Sequence, residues 1–194
     1  MLDCSIASGE FTPSGFQIFR KDQNCHGGGV AIAVNKNIEA TEIPMQLPET
    51  EALLVELKIV NSKLLILVFY RPPSSNDPHL IPDLLELVTG IANSRKTRLI
   101  VCGDLNMPSI NWAEYTVPTG DVPQALLDSV ADLNLTKHIH EATYVKGNIL
   151  DGVFSNVHCI KSIIVHKPLL SDHYIIDIET HLNVKDDERT ERKI

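Results

Sequence analysis

Four short stretches hold side chains suited to chemistry. Gly103-Asp104-Leu105-Asn106 follows the apolar run Leu99 to Cys102 and sets a carboxylate and a carboxamide two residues apart. At the end of a buried strand both can point into one cleft. There an Asp binds a metal or handles a proton, and an Asn orients water or phosphate. Ser171-Asp172-His173 puts a hard oxygen ligand beside a titratable imidazole. Leu150-Asp151 places a carboxylate within the apolar stretch Ile149 to Phe154, where burial is costly without a partner. Tyr70-Arg71-Pro72-Pro73 ends a strongly apolar run with a hydroxyl and a guanidinium before the Pro pair breaks the strand. Each stretch alone has a plainer reading. Gly, Asp and Asn are turn formers, Ser-Asp-His suits a polar loop, and Asp151 suits an exposed strand edge. Taken together they say more, because strand ends on one side of a sheet converge in space. Their acidic character suits Mg²⁺, which prefers carboxylate oxygen and water and polarises phosphoryl oxygens.

The elements that would position these groups are mostly strands. Phe16 to Phe19, Val30 to Val34, Leu53 to Val60 and Leu64 to Tyr70 are short apolar runs. Asn61-Ser62 reads as a tight hairpin turn between the last two. The period then changes. Leu80, Ile81, Leu84, Leu85, Val88, Ile91 and Ala92 recur at helical spacing. Asp77 before Pro78 fits a cap with proline at the first helical position. A second helix is expected over Pro123 to Leu133, with Val122, Leu126, Leu127 and Val130 as its stripe. Further strands are expected near Leu99 to Cys102, Ile149 to Phe154, Ile160 to Val165 and Tyr174 to Ile178. The chain reads as a strand-rich α/β protein with hairpins and few helices.

Composition narrows the class. The 194 residues carry 17 Lys plus Arg against 25 Asp plus Glu, a net charge of −8, with 43% hydrophobic and 22% charged residues. These are ordinary globular values. The acidic balance argues against coating nucleic acid by bulk charge, but not against gripping phosphates through a metal. The longest apolar run, Leu64 to Tyr70, is far shorter than the roughly 20 residues of a membrane span. Met1-Leu2-Asp3-Cys4-Ser5 shows no secretory pattern. Four cysteines lie far apart without a Cys-x-x-Cys pair, which speaks against a zinc ribbon or a disulfide scaffold. There is no G-x-S-x-G, and Gly27-Gly28-Gly29 lacks the Lys-Ser/Thr of a P-loop. It reads as a flexible lead-in to the strand at Val30. His140-Glu141-Ala142-Thr143-Tyr144 begins like a zincin helix but ends in Tyr. The last ten residues hold eight charges, four of each sign. Residues 183–194 are therefore expected to be a solvated tail or linker after a domain spanning 1–182.

The order and context of these stretches resemble the endonuclease/exonuclease/phosphatase superfamily, and more closely the apurinic-endonuclease-like domain of non-LTR retrotransposons. The resemblance is carried by Phe19-Arg20-Lys21-Asp22 through Gly27-Gly28-Gly29-Val30, by Tyr70-Arg71-Pro72-Pro73, and by Cys102-Gly103-Asp104-Leu105-Asn106 with Trp112. Ile149-Leu150-Asp151-Gly152-Val153-Phe154 and Leu170-Ser171-Asp172-His173 complete it. It implies an α/β (α+β) fold, a two-sheet, four-layer sandwich with the site at one end. It also implies roles. Tyr70 would contact the scissile phosphate, and Asp104 would handle the proton of the attacking water or the leaving oxygen. Asn106 would orient water and phosphate. Asp151 would hold His173, which would act as base or stabilise the charge on phosphorus. Asp172 and Asp104 would be the metal ligands, for Mg²⁺ or in its place Mn²⁺. The implied reaction is metal-assisted nicking of DNA to prime reverse transcription. The implied partners are a DNA substrate and a reverse transcriptase domain of the parent element, with no membrane, in the nucleus.

One departure stands out. Family members open with a strand ending in Asn and another ending in a metal-binding Glu, and Met1 to Ile6 lines up just after that Glu. Glu10 does not match it. The chain is thus expected to lack its first strands and a principal metal ligand, with impaired activity. The alternatives are a non-catalytic remnant or interaction module, and another phosphodiesterase or phosphatase of the superfamily. Two spatial expectations follow. Tyr70, Asp104, Asn106, Asp151, Asp172 and His173 should share one cleft, with His173 within about 6 Å, roughly two hydrogen-bond lengths, of Asp104 or Asp151. Cys102 should be buried and inert.

Overall fold

The computed structural model describes residues 13–22, 29–45, 50–168 and 171–182. Its centre is a six-stranded sheet built from β3 (Ala40–Ile43), β4 (Glu51–Ile59), β5 (Ser62–Tyr70), β6 (Arg98–Asp104), β7 (Thr136–Lys137) and β8 (Asp151–Ser155). The spatial order is β3-β4-β5-β6-β8-β7. Only β5 and β6 run parallel. A parallel pair needs a crossover, and α1 (Leu80–Arg95) supplies it. A second helix, α2 (Asp121–Asp132), packs beside α1. Among the described residues two antiparallel hairpins flank this sheet: β1 (Phe16–Lys21) with β2 (Val30–Asn35), and β9 (Ile160–His166) with β10 (Ile175–Thr180).

Alternation along the central strands sends successive side chains to opposite faces. Leu54, Leu65, Leu67, Leu99, Val101 and Phe154 meet Leu84, Leu85, Val88, Leu126 and Val130 of the helices. Leu53, Val55, Leu57, Leu64, Ile100 and Val153 meet the hairpins through Phe19, Ile32, Ile163, Val165, Ile176 and Ile178. The sheet is therefore covered by helices on one face and hairpins on the other. This is the expected mixed α/β architecture. No helix among the described residues is long and apolar enough to cross a membrane.

Several boundaries differ from the sequence reading. Asp77 does not cap α1. Its Oδ1 accepts the His79 N–H at 2.9 Å in a turn just upstream, and His79 is the residue at the cap. Pro82 then falls in the first turn, where a missing N–H is harmless. The β4–β5 turn is Val60-Asn61, with Asn61 left-handed at φ 55° and Ser62 already paired with Ile59. The strand expected over Leu99 to Cys102 runs on through Asp104. Strands β3 and β7 were not expected. One is half charged or polar and the other has two residues, so neither shows a hydrophobic period. Cys102 was expected to be buried; it is only partly buried as a residue, while burial pushes its thiol up to about 12. The charged stretch at 183–194, Glu10 and the stretch Met1 to Ile6 lie outside the described residues.

Candidate active site

Four polar residues stand in one row across four neighbouring strands. Glu51 of β4 pairs with Tyr70 of β5, Tyr70 with Asp104 of β6, and Asp104 with Asp151 of β8. Each lies an even number of residues from hairpin-facing neighbours: Leu53, Ile66, Ile100 and Val153. The whole row therefore faces the hairpin layer, at the end of the sheet. Directly beside it, Gly103 pairs with Gly152. A Cβ on Gly103 would sit 2.4 Å from the carbonyl oxygen of Phe69, and one on Gly152 would sit 2.5 Å from the Phe154 ring. Glycine at both places lets the ends of β5, β6 and β8 close together, which brings Tyr70, Asp104 and Asp151 into one cleft.

Beyond β6 the chain turns sharply at Asn106, left-handed at φ 49°, a conformation Asn tolerates better than most residues. Asp104 fixes this turn. Its Oδ1 accepts the Asn106 N–H and its Oδ2 accepts Asn106 Nδ2, both at 2.9 Å. Asn106 Nδ2 also donates to the Arg71 carbonyl at 2.9 Å. Arg71, buried to 5% exposure, returns the contact from the other side. Its Nη1 donates to the carbonyls of Leu105 and Asn106 at 3.3 Å, its Nη2 to that of Ser75, and its N–H to the Asp104 carbonyl. Arg71 thus clamps the Asp104–Asn106 turn onto the end of β5.

Asp151 and His173 come from different regions and are tied together by Thr143. The fully buried Thr143 hydroxyl accepts the backbone N–H groups of Leu150 and Asp151 at 3.0 Å. The Thr143 carbonyl accepts the Tyr174 N–H at 2.7 Å, and Val145 N–H donates to the Asp172 carbonyl at 3.0 Å. The Tyr144 ring lies 5.3 Å from the His173 imidazole. With both segments held, His173 Nδ1 stands 2.9 Å from Asp151 Oδ2, and Nε2 faces Asp104 Oδ2 at 3.9 Å. That second gap is too long for a direct hydrogen bond and leaves room for a reacting atom. Both distances fall inside the expected limit of about 6 Å.

The electrostatics follow from this crowding. Burial first, then the nearby Asp151 charge, push Asp104 up to about 6, against the lowering pull of Asn106 and His173. For His173, burial alone would lower the pKa. The hydrogen bond to Asp151 and the charges of Asp151, Asp104 and Asp172 outweigh it and hold the imidazole above its ordinary value. Burial, then Asp104 and Glu51, raise Tyr70, so it stays a neutral donor. Ligand atoms of Asp104, Asp151 and His173 lie within 4.8 Å of one another. The two carboxylates suit a divalent cation, while a protonated His173 serves as a donor rather than a ligand.

Of the residues singled out from sequence, the structure brings Tyr70, Asp104, Asn106, Asp151 and His173 together. Asp172 is exposed beside His173 and acts on it through its charge, outside the three-residue group. Arg71, Thr143 and Glu51 were not singled out as site residues. Arg71 and Thr143 work on backbone groups distant in sequence. Glu51 is buried, with Oε2 accepting the Gly29 N–H at 2.7 Å. The one available signal was a charged residue opening an apolar strand.

A layered α/β fold with Asp-x-Asn, Asp and Asp-His gathered at one end of its sheet defines the endonuclease/exonuclease/phosphatase class, whose members are hydrolases such as endonucleases and phosphodiesterases. Residues 64–177, more than half of the chain, match the endonuclease–reverse transcriptase family, and the chain belongs to it. No curated protein matches the chain by sequence. Among solved structures it is similar to the endonuclease domain of TRAS1, a telomere-specific non-LTR retrotransposon. That match has a TM-score of 0.65 and 16% identity, covering 92% of this chain and 84% of the other. The human Nocturnin catalytic domain is also similar, with a TM-score of 0.56 and 18% identity, covering 86% and 72%. So is a mannosyl-6-phosphatase of Bacteroides thetaiotaomicron, with a TM-score of 0.58 and 11% identity, covering 86% and 77%.

Proposed function

We propose that the chain is a Mg²⁺-dependent endonuclease domain of a non-LTR retrotransposon. In this reading it nicks a DNA phosphodiester in the nucleus to prime synthesis by the element's reverse transcriptase. The observation that carries the reading is the arrangement Asp151–His173–Asp104, with one imidazole nitrogen held at 2.9 Å and the other facing a carboxylate across 3.9 Å. Asp151 fixes the ring orientation and favours the protonated imidazole. Nε2 then donates to an oxygen of the scissile phosphate as charge builds there. Asp104, near 6, changes protonation close to neutral pH, as a group that accepts a proton from water and passes it on should. Asn106 is locked by Asp104 and Arg71, which take both Nδ2 hydrogens, so its part is to hold Asp104 in place and to offer its amide oxygen as an acceptor for water. Tyr70 supplies a neutral hydroxyl to the phosphate. Asp104, with Asp172 at the rim, would hold the cation, Mg²⁺ or Mn²⁺. A divalent ion there supplies polarisation of the phosphoryl oxygens.

The test is relaxation of supercoiled plasmid with Mg²⁺, with an EDTA control and with His173→Ala. We expect EDTA-sensitive nicking that His173→Ala lowers by about 10²–10⁴-fold. Nicking indifferent to His173→Ala, or none from the folded chain with Mg²⁺ or Mn²⁺, would overturn the reading in favour of a non-catalytic module.

A further inference from the structure

A second polar site lies on the other face of the central sheet. Lys137 of β7 pairs with Phe154, so the two side chains share a face. Phe154 belongs to the helix-side core, and its ring lies 6.2 Å from that of Trp112. Lys137 is therefore directed into this core and away from the carboxylate–imidazole cleft. It is 5% exposed, and Nζ sits 4.8 Å from the centre of the Trp112 ring. Among the described residues no acceptor reaches Lys137 Nζ or the buried Trp112 Nε1. Both residues line a cavity of about 370 Å³, together with Asn111, His140, Asn148 and Ile149. No carboxylate lines it among the described residues. The amide of Asn111 donates instead to Glu114, at 3.3 Å, on the exposed side.

A buried ammonium without a counter-charge is costly, and most proteins pair it. Here the penalty is visible, since burial brings Lys137 down to about 8. The unused groups at the cavity are both donors, one of them cationic at neutral pH. An acceptor-rich anion matches them and a cation does not. The cavity is also larger than one tetrahedral oxyanion needs, which leaves room for a group attached to it.

We infer that the Trp112–Lys137 cavity is a binding site for a phosphate-class oxyanion, separate from the cleft of Asp104, Asp151 and His173. The ammonium is covered by its neighbours, so it meets the ligand by rotation of its flexible four-carbon stem. The indole N–H and the His140 ring complete the donor set. The phosphate comes either from a free, small phosphate compound or from a nucleic-acid strand, and the two share this chemistry.

Trp112 is the single tryptophan of the chain, so its emission reports on this cavity alone. The experiment titrates the full chain with sodium phosphate at pH 7 without divalent metal, read by Trp112 fluorescence and by calorimetry. Sodium chloride at matched ionic strength is the control. We expect a saturable response to phosphate that chloride does not reproduce. Lys137→Met keeps the stem length without the charge and should weaken binding at least about tenfold. Lys161→Met, which removes an exposed ammonium of β9 outside the cavity lining, should leave binding unchanged, and because the titration reads Trp112 rather than cleavage the result stands whether or not the chain nicks DNA. Trp112→Phe, read by calorimetry, should weaken binding by a smaller factor and supplies the second variant should Lys137→Met not fold. Competition by a short oligonucleotide would assign the phosphate to a nucleic-acid strand, and its absence to a small compound. A response matched by chloride, or retained within about twofold by both variants, would overturn the site.

Discussion

On the helix face of the central sheet, Leu54, Leu65, Leu67, Leu84, Leu99 and Val101 retain no exposure. On the hairpin face every residue of β1 is only half-buried, and β10 alternates between exposed and half-buried along its length. The sheet residues under the hairpins, such as Val55 and Val153, are buried too, so the difference lies in the covering layers: the helix layer is sealed and the hairpin layer is partly open. Tyr70, Asp104 and Asp151 project toward the hairpin layer at the end of the sheet, where a substrate can approach them. The sealed helix side carries the stability that lets glycines and crowded carboxylates persist at the sheet end. Stability and chemistry are thus divided between the two sides of the same strands.

Core truncations test this division most strongly. Phe154→Ala on the sealed helix side should cost about 3–5 kcal/mol in chemical denaturation. Ile163→Ala in the hairpin layer should cost less than half of that, because its surroundings already admit water. Equal losses would break the comparison. Gly103→Ala comes next. Its Cβ meets both the Phe69 carbonyl of the neighbouring strand and the buried Phe69 ring, and we expect a loss of about 1–3 kcal/mol together with a distorted cleft. A neutral Gly103→Ala would show that the strand ends are looser than described.

The smallest effect concerns Asp104→Asn in metal-free buffer. A carboxyl raised to about 6 in the fold contributes stability that is complete below its unfolded value, near 4, and lost as pH rises through about 6. Asparagine does not ionise. The variant loses one of the two contacts that Asp104 accepts from Asn106, a pH-independent cost. Its stability relative to the parent should still rise by about 1–2 kcal/mol between pH 4 and pH 7 after discounting for solvent screening, read from melting curves across this range. A difference independent of pH would show that Asp104 is not strained by its neighbours.

Much of the frame was legible because apolar period is a strong signal. The helical spacing from Leu80 to Ala92 and the runs at Leu53 and Leu64 became elements with small shifts in their ends. Asp104, Asn106, Asp151 and His173 stood out because polar residues abut apolar runs there. Arg71 and Thr143 did not stand out as site residues. One binds carbonyls 34 and 35 residues away, and the other holds amides seven and eight residues on. Such bonds have no local pattern. Asp77 misled because the same Asn/Asp chemistry serves caps and isolated turns alike. Lys137 was equally silent, since nothing in Leu135-Thr136-Lys137-His138 tells that this lysine enters the core.

The strand row that joins Glu51, Tyr70, Asp104 and Asp151 has a kinetic consequence. Only the Glu51–Tyr70 step is closed by a local hairpin. Joining Tyr70 to Asp104 requires the whole α1 crossover, and joining Asp104 to Asp151 requires α2 and its connections to be in place. Such distant pairings close slowly, after local helices and hairpins have formed. The cleft is therefore expected to be among the last parts of the molecule to form during folding, which hydrogen-exchange labelling during refolding would check. A chain caught short of that point has its helices and hairpins but no site.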